Sequence, residues 1–486
     1  MQKYELELAT PADDFTTLTA QLEAVFAADP RLRPNPQMHD YQLTYPPAVQ
    51  VERPAYRRAP ADCEFVEHAV GDFAHAAFYF HFGFCQYRCR YCHHYEIRTH
   101  TRDDAMARYL KALSIEMRRV RDLAPRLKRL IYFMGGGTPT ALPPALLNYF
   151  LEQLGDIFGA PPSLLSTVEV KPVTATDEKL SMLVQAGFAR INLGVQCLDP
   201  ALYAFHHHGE ELSVALDAID RARSAGFKYI NIDILTGLER QTAASWDITL
   251  AAIEQLAAAG AVDSVFIYPY HDDPRSRTFG KNGALPSFAE TAHSETRART
   301  LFERLGWKEL GARFFRAPRH VRRELFELAK TRANPSYGEL LYHGFGNSAF
   351  SVGDRATYMN ARNPDDYCAQ IEAGGLAISH WTRLDAHQRA TRDLTFDILY
   401  SPIVRVRAIA KKYGANTMTG HIVQLDRWTE LGLGEWNRLL GIWRLTRMGK
   451  LVHQQMLPAL YLPEDKTRFV VVMEERLTRG RAYRGY

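Results

Sequence analysis

Three cysteines in one short segment carry the strongest chemical signal in the chain. Phe84-Cys85-Gln86-Tyr87-Arg88-Cys89-Arg90-Tyr91-Cys92 is a CxxxCxxC motif. Three thiolates on one tight loop can each bind one iron of a four-iron cubane. The fourth iron then lacks a protein ligand and can chelate a small molecule through an amine and a carboxylate. Three buried structural cysteines, or a zinc site completed by His93 or His94, are the competing readings. Zinc sites more often pair two CxxC units.

Further polar residues recur at strand ends. Met134-Gly135-Gly136-Gly137-Thr138-Pro139-Thr140 is a glycine-rich turn in which backbone can approach a ligand closely and present amides and carbonyls. Glu169 lies in a Thr-Val-Glu-Val-Lys run, Gln196 ends Gly194-Val195-Gln196, and Asp233 lies in Asn-Ile-Asp-Ile-Leu. Polar groups inside buried strands are costly without partners. Three on neighbouring strands at one barrel end point to ligand contacts. His206, His207 and His208 read as a partly exposed loop. Arg316, Arg319, Arg322 and Arg323 read as a basic cluster on a helix, a solvated face more readily than a clamp for a carboxylate-bearing substrate.

The elements that must position these residues alternate. Strand-length apolar runs at 76–82, 130–134, 167–170, 190–195, 229–235 and 264–268 are separated by helical patterns at 103–124, 143–157, 177–186, 212–225 and 243–259. In the first helix Met106, Leu110, Leu113, Met117 and Val120 share one face. Such alternation predicts parallel βαβ units, here an α/β fold with a partial (βα)6 barrel and its chemistry at the strand C-terminal ends. Residues 1–70 read as an N-terminal extension, its prolines at 34, 36, 46, 47, 54 and 60 too dense for long helices. Its one assignable role is a cover over the barrel mouth. Residues 71–275 form the barrel, 276–380 a barrel-associated region, and 381–486 a mostly helical C-terminal domain.

The chain has 486 residues, 46% apolar and 23% charged, with a net charge of +4. That balance is too weak to imply a nucleic-acid partner, and no run of about 18 apolar residues suggests a membrane span. The first residues, MQKYELELATPADDF, do not read as a signal peptide. Six cysteines, three of them clustered, favour metal binding over disulfides and a cytoplasmic location.

Taken in order, YxxxxxCxxxCxxC, GGGTPT, Glu, GVQ and NIDI resemble the oxygen-independent coproporphyrinogen III dehydrogenase family of radical S-adenosylmethionine (SAM) proteins. The resemblance covers about residues 76–270. It continues more weakly through Gly344-Phe-Gly-Asn-Ser-Ala and the stretch from Trp443 to Lys450. It implies a [4Fe–4S] cluster on Cys85, Cys89 and Cys92 and two SAM molecules. Tyr79, Gly136 and Glu169 would contact the cluster-bound SAM; Tyr91, Gly137, Thr138, Gln196 and Asp233 would surround the second. An electron donor such as flavodoxin or ferredoxin and a small-molecule substrate, aromatic or carboxylate-bearing, are implied as partners.

The chain departs from the porphyrinogen enzyme at two positions. His94 stands where that enzyme has a further cysteine, and His208 where it has an arginine. This shifts the expectation to the class C radical SAM methylases and cyclopropanases, which lack the extra cysteine. In that reading a 5′-deoxyadenosyl radical activates the methyl group of the second SAM, which adds to an unsaturated carbon. His94, His208 and Tyr87 are the candidate bases by position. The alternatives are tetrapyrrole chemistry, either porphyrinogen oxidation or anaerobic heme cleavage, and a heme chaperone without turnover.

Overall fold

A computed structural model describes residues 12–34, 45, 62–92, 98–99, 101–161, 164–270, 285–309, 314–317, 340–401 and 403–465. His94, Arg319, Arg322 and Arg323 lie outside them. Six strands form the centre: β1 (His75–Phe82), β2 (Lys128–Gly136), β3 (Thr167–Val170), β4 (Arg190–Gln196), β5 (Tyr229–Thr236) and β6 (Ser264–Pro269). They pair in parallel in that order, as the strand–helix alternation predicts.

The two faces of this sheet differ because side chains alternate along each strand. Phe78, Phe80 and Phe82 of β1, Met134 of β2, Val168 and Val170 of β3, and Ile191, Leu193 and Val195 of β4 enter one large apolar core. The helices at Asp103–Leu123, Pro144–Phe158, Asp177–Gln185, Leu212–Ala225 and Ala243–Ala258 bury their apolar stripes in the same core, through Leu113, Phe150, Leu180, Ile219 and Trp246 among others. The opposite face carries Tyr79 abreast of Phe133, Glu169 abreast of Asn192, and, one repeat further along, Asp233 abreast of Phe266. Parallel strands covered by helices on one face can leave the other face polar only where it lines a cavity or mouth.

The sheet extends beyond six strands. Leu340–Phe345 pairs in parallel with the free side of β1 and is followed by antiparallel strands at Phe350–Val352, Ala356–Asn360 and Ile378–Arg383. At the other edge Phe314–Arg316 pairs antiparallel with β6. Arg316 therefore sits in a strand, not on a helix. It pairs with Ser264, at the start of β6 and away from the C-terminal mouth, and is fully buried under the Tyr229 ring.

A 17-residue helix, Ala12–Ala28, corrects the expectation that the first 70 residues hold no long helix. It ends just before Pro30, ahead of the proline-dense stretch, so those rings never meet it. Its Leu18, Leu22, Val25 and Phe26 share a second core with Leu394, Trp428, Trp443 and Leu457. The C-terminal region is helical at Ala386–Tyr400, Val406–Tyr413, Thr419–Glu430 and Arg447–Met456. It also holds a small antiparallel sheet that the sequence reading missed, Ile403–Val404, Gly434–Asn437 and Ile442–Leu445. A side chain on Gly434 would strike the Trp443 ring 1.8 Å away, which explains a glycine there.

Phe345 anchors the added parallel strand, stacking on Phe80 at 5.2 Å and meeting Phe78 edge-on at 5.0 Å. Phe345→Ala should lower unfolding stability by about 3–5 kcal/mol in urea titration. A change near zero would show that this strand does not share the barrel core.

Candidate functional site

The cysteine loop leaves β1 and is fixed at several points. Gly137 N–H donates to the Phe82 carbonyl at 2.7 Å and Thr138 N–H to the Phe84 carbonyl at 2.8 Å. A Cβ on Gly137 would lie 2.2 Å from the Phe84 carbonyl oxygen, so only glycine allows the two segments to cross. Gly136, at φ 101°, donates its N–H to Glu169 Oε2 at 3.2 Å. The expectation that this turn holds its amides open for a ligand is thereby corrected. Three successive amides are engaged within the protein, because the turn must first carry the cysteine loop and β3.

Cys89 is buried, Cys85 and Cys92 are partly exposed, and none is in a disulfide. Cys85 Sγ lies 3.3 Å from Thr138 Oγ1, and Cys92 N–H donates to the Cys89 carbonyl at 3.1 Å. Among the described residues no three His, Cys, Asp or Glu side chains converge on one single-ion position. Three thiolates that each take a different iron need no such convergence. The loop thus fits a cluster held by three thiols: they are in no disulfide, on one tight turn, and partly exposed at two of the three.

The histidine run is partly exposed, as expected, but only at His208, and His206 closes a helix, Pro200–His206, rather than lying in a loop. His206 and His207 are buried. The run braces the cysteine loop residue by residue. Arg90 N–H donates to the His206 carbonyl at 3.3 Å. His207 Nε2 lies 3.3 Å from the Tyr91 hydroxyl, while its Nδ1 lies 2.9 Å from the Tyr203 carbonyl and its ring stacks on Tyr203. His208 Nε2 meets the Arg88 carbonyl, and its ring lies edge-on to Tyr87 with centroids 5.0 Å apart. Burial pulls His207 down to about 3, so it stays neutral. The Tyr91 phenol is held well above its usual value, first by burial and then by the Cys89 thiolate.

On the polar face Glu169 and Asp233 form an unusual pair. Burial, and then the charge of Asp233, push Glu169 up to about 8 against the opposing Gly136 amide. Burial pushes Asp233 up to about 7, offset by Asn231, whose amide donates to it at 2.7 Å, and by Arg190. Two carboxyls enclosed together resist ionising until a cation joins them. Tyr79 closes the opposite wall, its hydroxyl 3.0 Å from His81 Nδ1 and its ring stacked on Tyr342. Gln196 ends β4 at φ 71°, a left-handed backbone that a non-glycine residue holds only under constraint.

The site therefore joins the cysteine loop, the glycine turn, Tyr79, Tyr91, Glu169, Gln196 and Asp233 around the strand C-termini. Of the candidate bases, Tyr87 and His208 meet each other beside the loop. The sequence reading did not single out His81 or Lys171. His81 follows Tyr79, and Lys171 follows Glu169, by one strand repeat, a signal that was available at both positions.

Comparisons agree with this geometry. The family model described as the radical SAM superfamily matches residues 79–253. The chain is 28% identical over 351 residues to an oxygen-independent coproporphyrinogen III oxidase from Bradyrhizobium diazoefficiens, covering 70% of this chain and 77% of that protein. It is 30% identical over 322 residues to the Paracoccus denitrificans protein of the same name, covering 64% and 70%. A Bacillus subtilis heme chaperone, HemW, is 34% identical over 172 residues, 34% of this chain and 43% of that one. The crystal structure of the Escherichia coli coproporphyrinogen III oxidase superposes with a TM-score of 0.71 at 20% identity, covering 86% of this chain and 96% of that one.

Two measurements check the site. Gly137→Ala should sharply lower iron and acid-labile sulfide after anaerobic reconstitution; full loading would show that the crossing is not needed. Glu169 binds its proton more tightly in the folded chain than in the unfolded one. Its contribution to stability is thus complete below the unfolded value of about 4.3 and is lost as pH rises through about 8. Glu169→Gln apoprotein should therefore resist urea better than wild type at about pH 8.5, with the gap closing toward about pH 5. A pH-independent gap would contradict the shift.

Proposed function

Because the chain belongs to the radical SAM superfamily, within the oxygen-independent coproporphyrinogen III oxidase-like family, we propose that it performs radical chemistry on a tetrapyrrole. The observation that carries this reading is the extent of the match: coproporphyrinogen III oxidases align over 77% and 70% of their own lengths. Methylation of an unsaturated carbon, the expectation from His94 and His208, has less support. The relatives matched over 77% and 70% of their lengths are named coproporphyrinogen III oxidases, and His208 supports the cysteine loop through the Arg88 carbonyl rather than standing free as a base.

When bound, the [4Fe–4S] cluster and SAM supply a 5′-deoxyadenosyl radical able to remove a hydrogen atom from an unreactive carbon. The chain's own residues bind and orient. Cys85, Cys89 and Cys92 would hold the cluster. Glu169, kept in place by the Gly136 amide, would receive a cationic group of the first SAM, and Asp233 with Gln196 would receive the second. Each carboxyl would ionise beside a bound cation, which would couple binding to proton release. Tyr91, fixed by His207, closes the loop side and keeps water from the thiolates. Tyr79 and His81 bound the opposite wall.

The test is product analysis. Anaerobically reconstituted protein is given reductant and SAM with coproporphyrinogen III, heme or a panel of heteroaromatic acids. 5′-Deoxyadenosine should appear with a tetrapyrrole and without matching S-adenosylhomocysteine. Equal amounts of both products with a heteroaromatic acid would replace this reading by methylation. An intact cluster that binds heme but never cleaves SAM would replace it by heme delivery.

A further inference from the structure

Lys171 follows β3 directly, with extended backbone at φ −82° and ψ 130°. Its side chain therefore leaves the same face as Glu169, one two-residue repeat or about 7 Å nearer the mouth. The residue is 8% exposed. Its Nζ lies 2.9 Å from the centroid of the Tyr87 ring, inside the cysteine loop. Among the described residues it makes no hydrogen bond, and the Tyr87 hydroxyl is likewise buried without one. Its charge also reaches His207, the histidine that holds Tyr91.

An ammonium group carries three donors and no acceptor. An aromatic face offsets part of its desolvation but satisfies none of those donors. The nearest carboxyl along the strand, Glu169, is committed elsewhere, to the Gly136 amide. Among the described residues the mouth thus holds a buried cation without a counterion, with a phenolic donor against it.

We propose that Lys171, together with the Tyr87 hydroxyl, anchors a carboxylate of a molecule bound at the barrel mouth. A carboxylate-bearing tetrapyrrole is the source that rests on the reading above; the methionine carboxylate of SAM has the same chemistry. The site asks for one negatively charged, planar acceptor that enters beside the cysteine loop and takes hydrogen bonds from both donors.

The test compares wild type, Lys171→Met and Lys171→Arg after anaerobic reconstitution. Iron content, SAM binding by equilibrium dialysis, and binding of coproporphyrin III and its tetramethyl ester by fluorescence quenching are measured. Lys171→Met should keep its iron and bind coproporphyrin about tenfold or more weakly, with the ester unaffected. Lys171→Arg should recover most of that loss. The urea midpoint of Lys171→Met apoprotein should equal or exceed that of wild type, because an apolar chain replaces an unpaired cation. A merely structural lysine would lower that midpoint and leave both affinities alone. Should Lys171→Met fail to take up iron, Lys171→Gln serves in its place. Loss of SAM affinity with coproporphyrin binding intact would identify the carboxylate as that of SAM, and the anchor stands. Unchanged affinity for both ligands overturns the assignment. A wild type that binds SAM but not coproporphyrin overturns the tetrapyrrole reading instead, and the SAM comparison alone then decides Lys171.

Discussion

The crossing of the cysteine loop over the glycine turn is the constraint on which the site depends. The Phe82 and Phe84 carbonyls accept the amides of Gly137 and Thr138, and the space between the two segments is smaller than a methyl group. This contact ties the end of β1 to the end of β2 before any cofactor is considered. It sets where Cys85 leaves the barrel, and its Sγ lies against Thr138 as a result. The same turn passes its Gly136 amide to Glu169, so the first three strands are joined at one level. A turn of this kind tolerates little change, because its restraint is backbone against backbone.

The second half of the loop depends on the histidine run. A helix, Pro200–His206, ends beside the cysteines, and its last carbonyl and the two following rings each hold one residue of the loop. His208 turns through a left-handed φ of 59° to reach the Arg88 carbonyl. Strain of this size persists only where surrounding contacts enforce it. The three histidines thus act through geometry, and burial keeps His207 from gaining a charge that would disturb the thiolates.

Electrostatics at the mouth are arranged for incoming charge. Two enclosed carboxyls on β3 and β5 favour their neutral forms until a cation arrives. Among the described residues a buried ammonium on the rim faces an aromatic ring and no hydrogen-bond acceptor. Each is unfavourable alone, and such residues accumulate where binding matters more than stability. The apolar face of the same sheet shows no such tension, since its side chains interlock with five helices in one core.

Much of this was legible in the order of residues. The six strands and five helices of the barrel follow from apolar periodicity, and Thr167–Val170 and Leu212–Ala225 fall where the pattern places them. The cysteine spacing and the glycine run mark the site because covalent geometry and the missing Cβ act locally. The antiparallel strands after Phe345, the small C-terminal sheet and the burial of Arg316 were not legible. They depend on pairings between distant segments that leave no periodic trace. Tertiary structure alone decided that three adjacent histidines would brace the cysteine loop, that Glu169 and Asp233 would share one enclosure, and that Lys171 would face Tyr87. A sequence specifies what each side chain can do, but desolvation and partner choice arise only when strands far apart along the chain are set side by side.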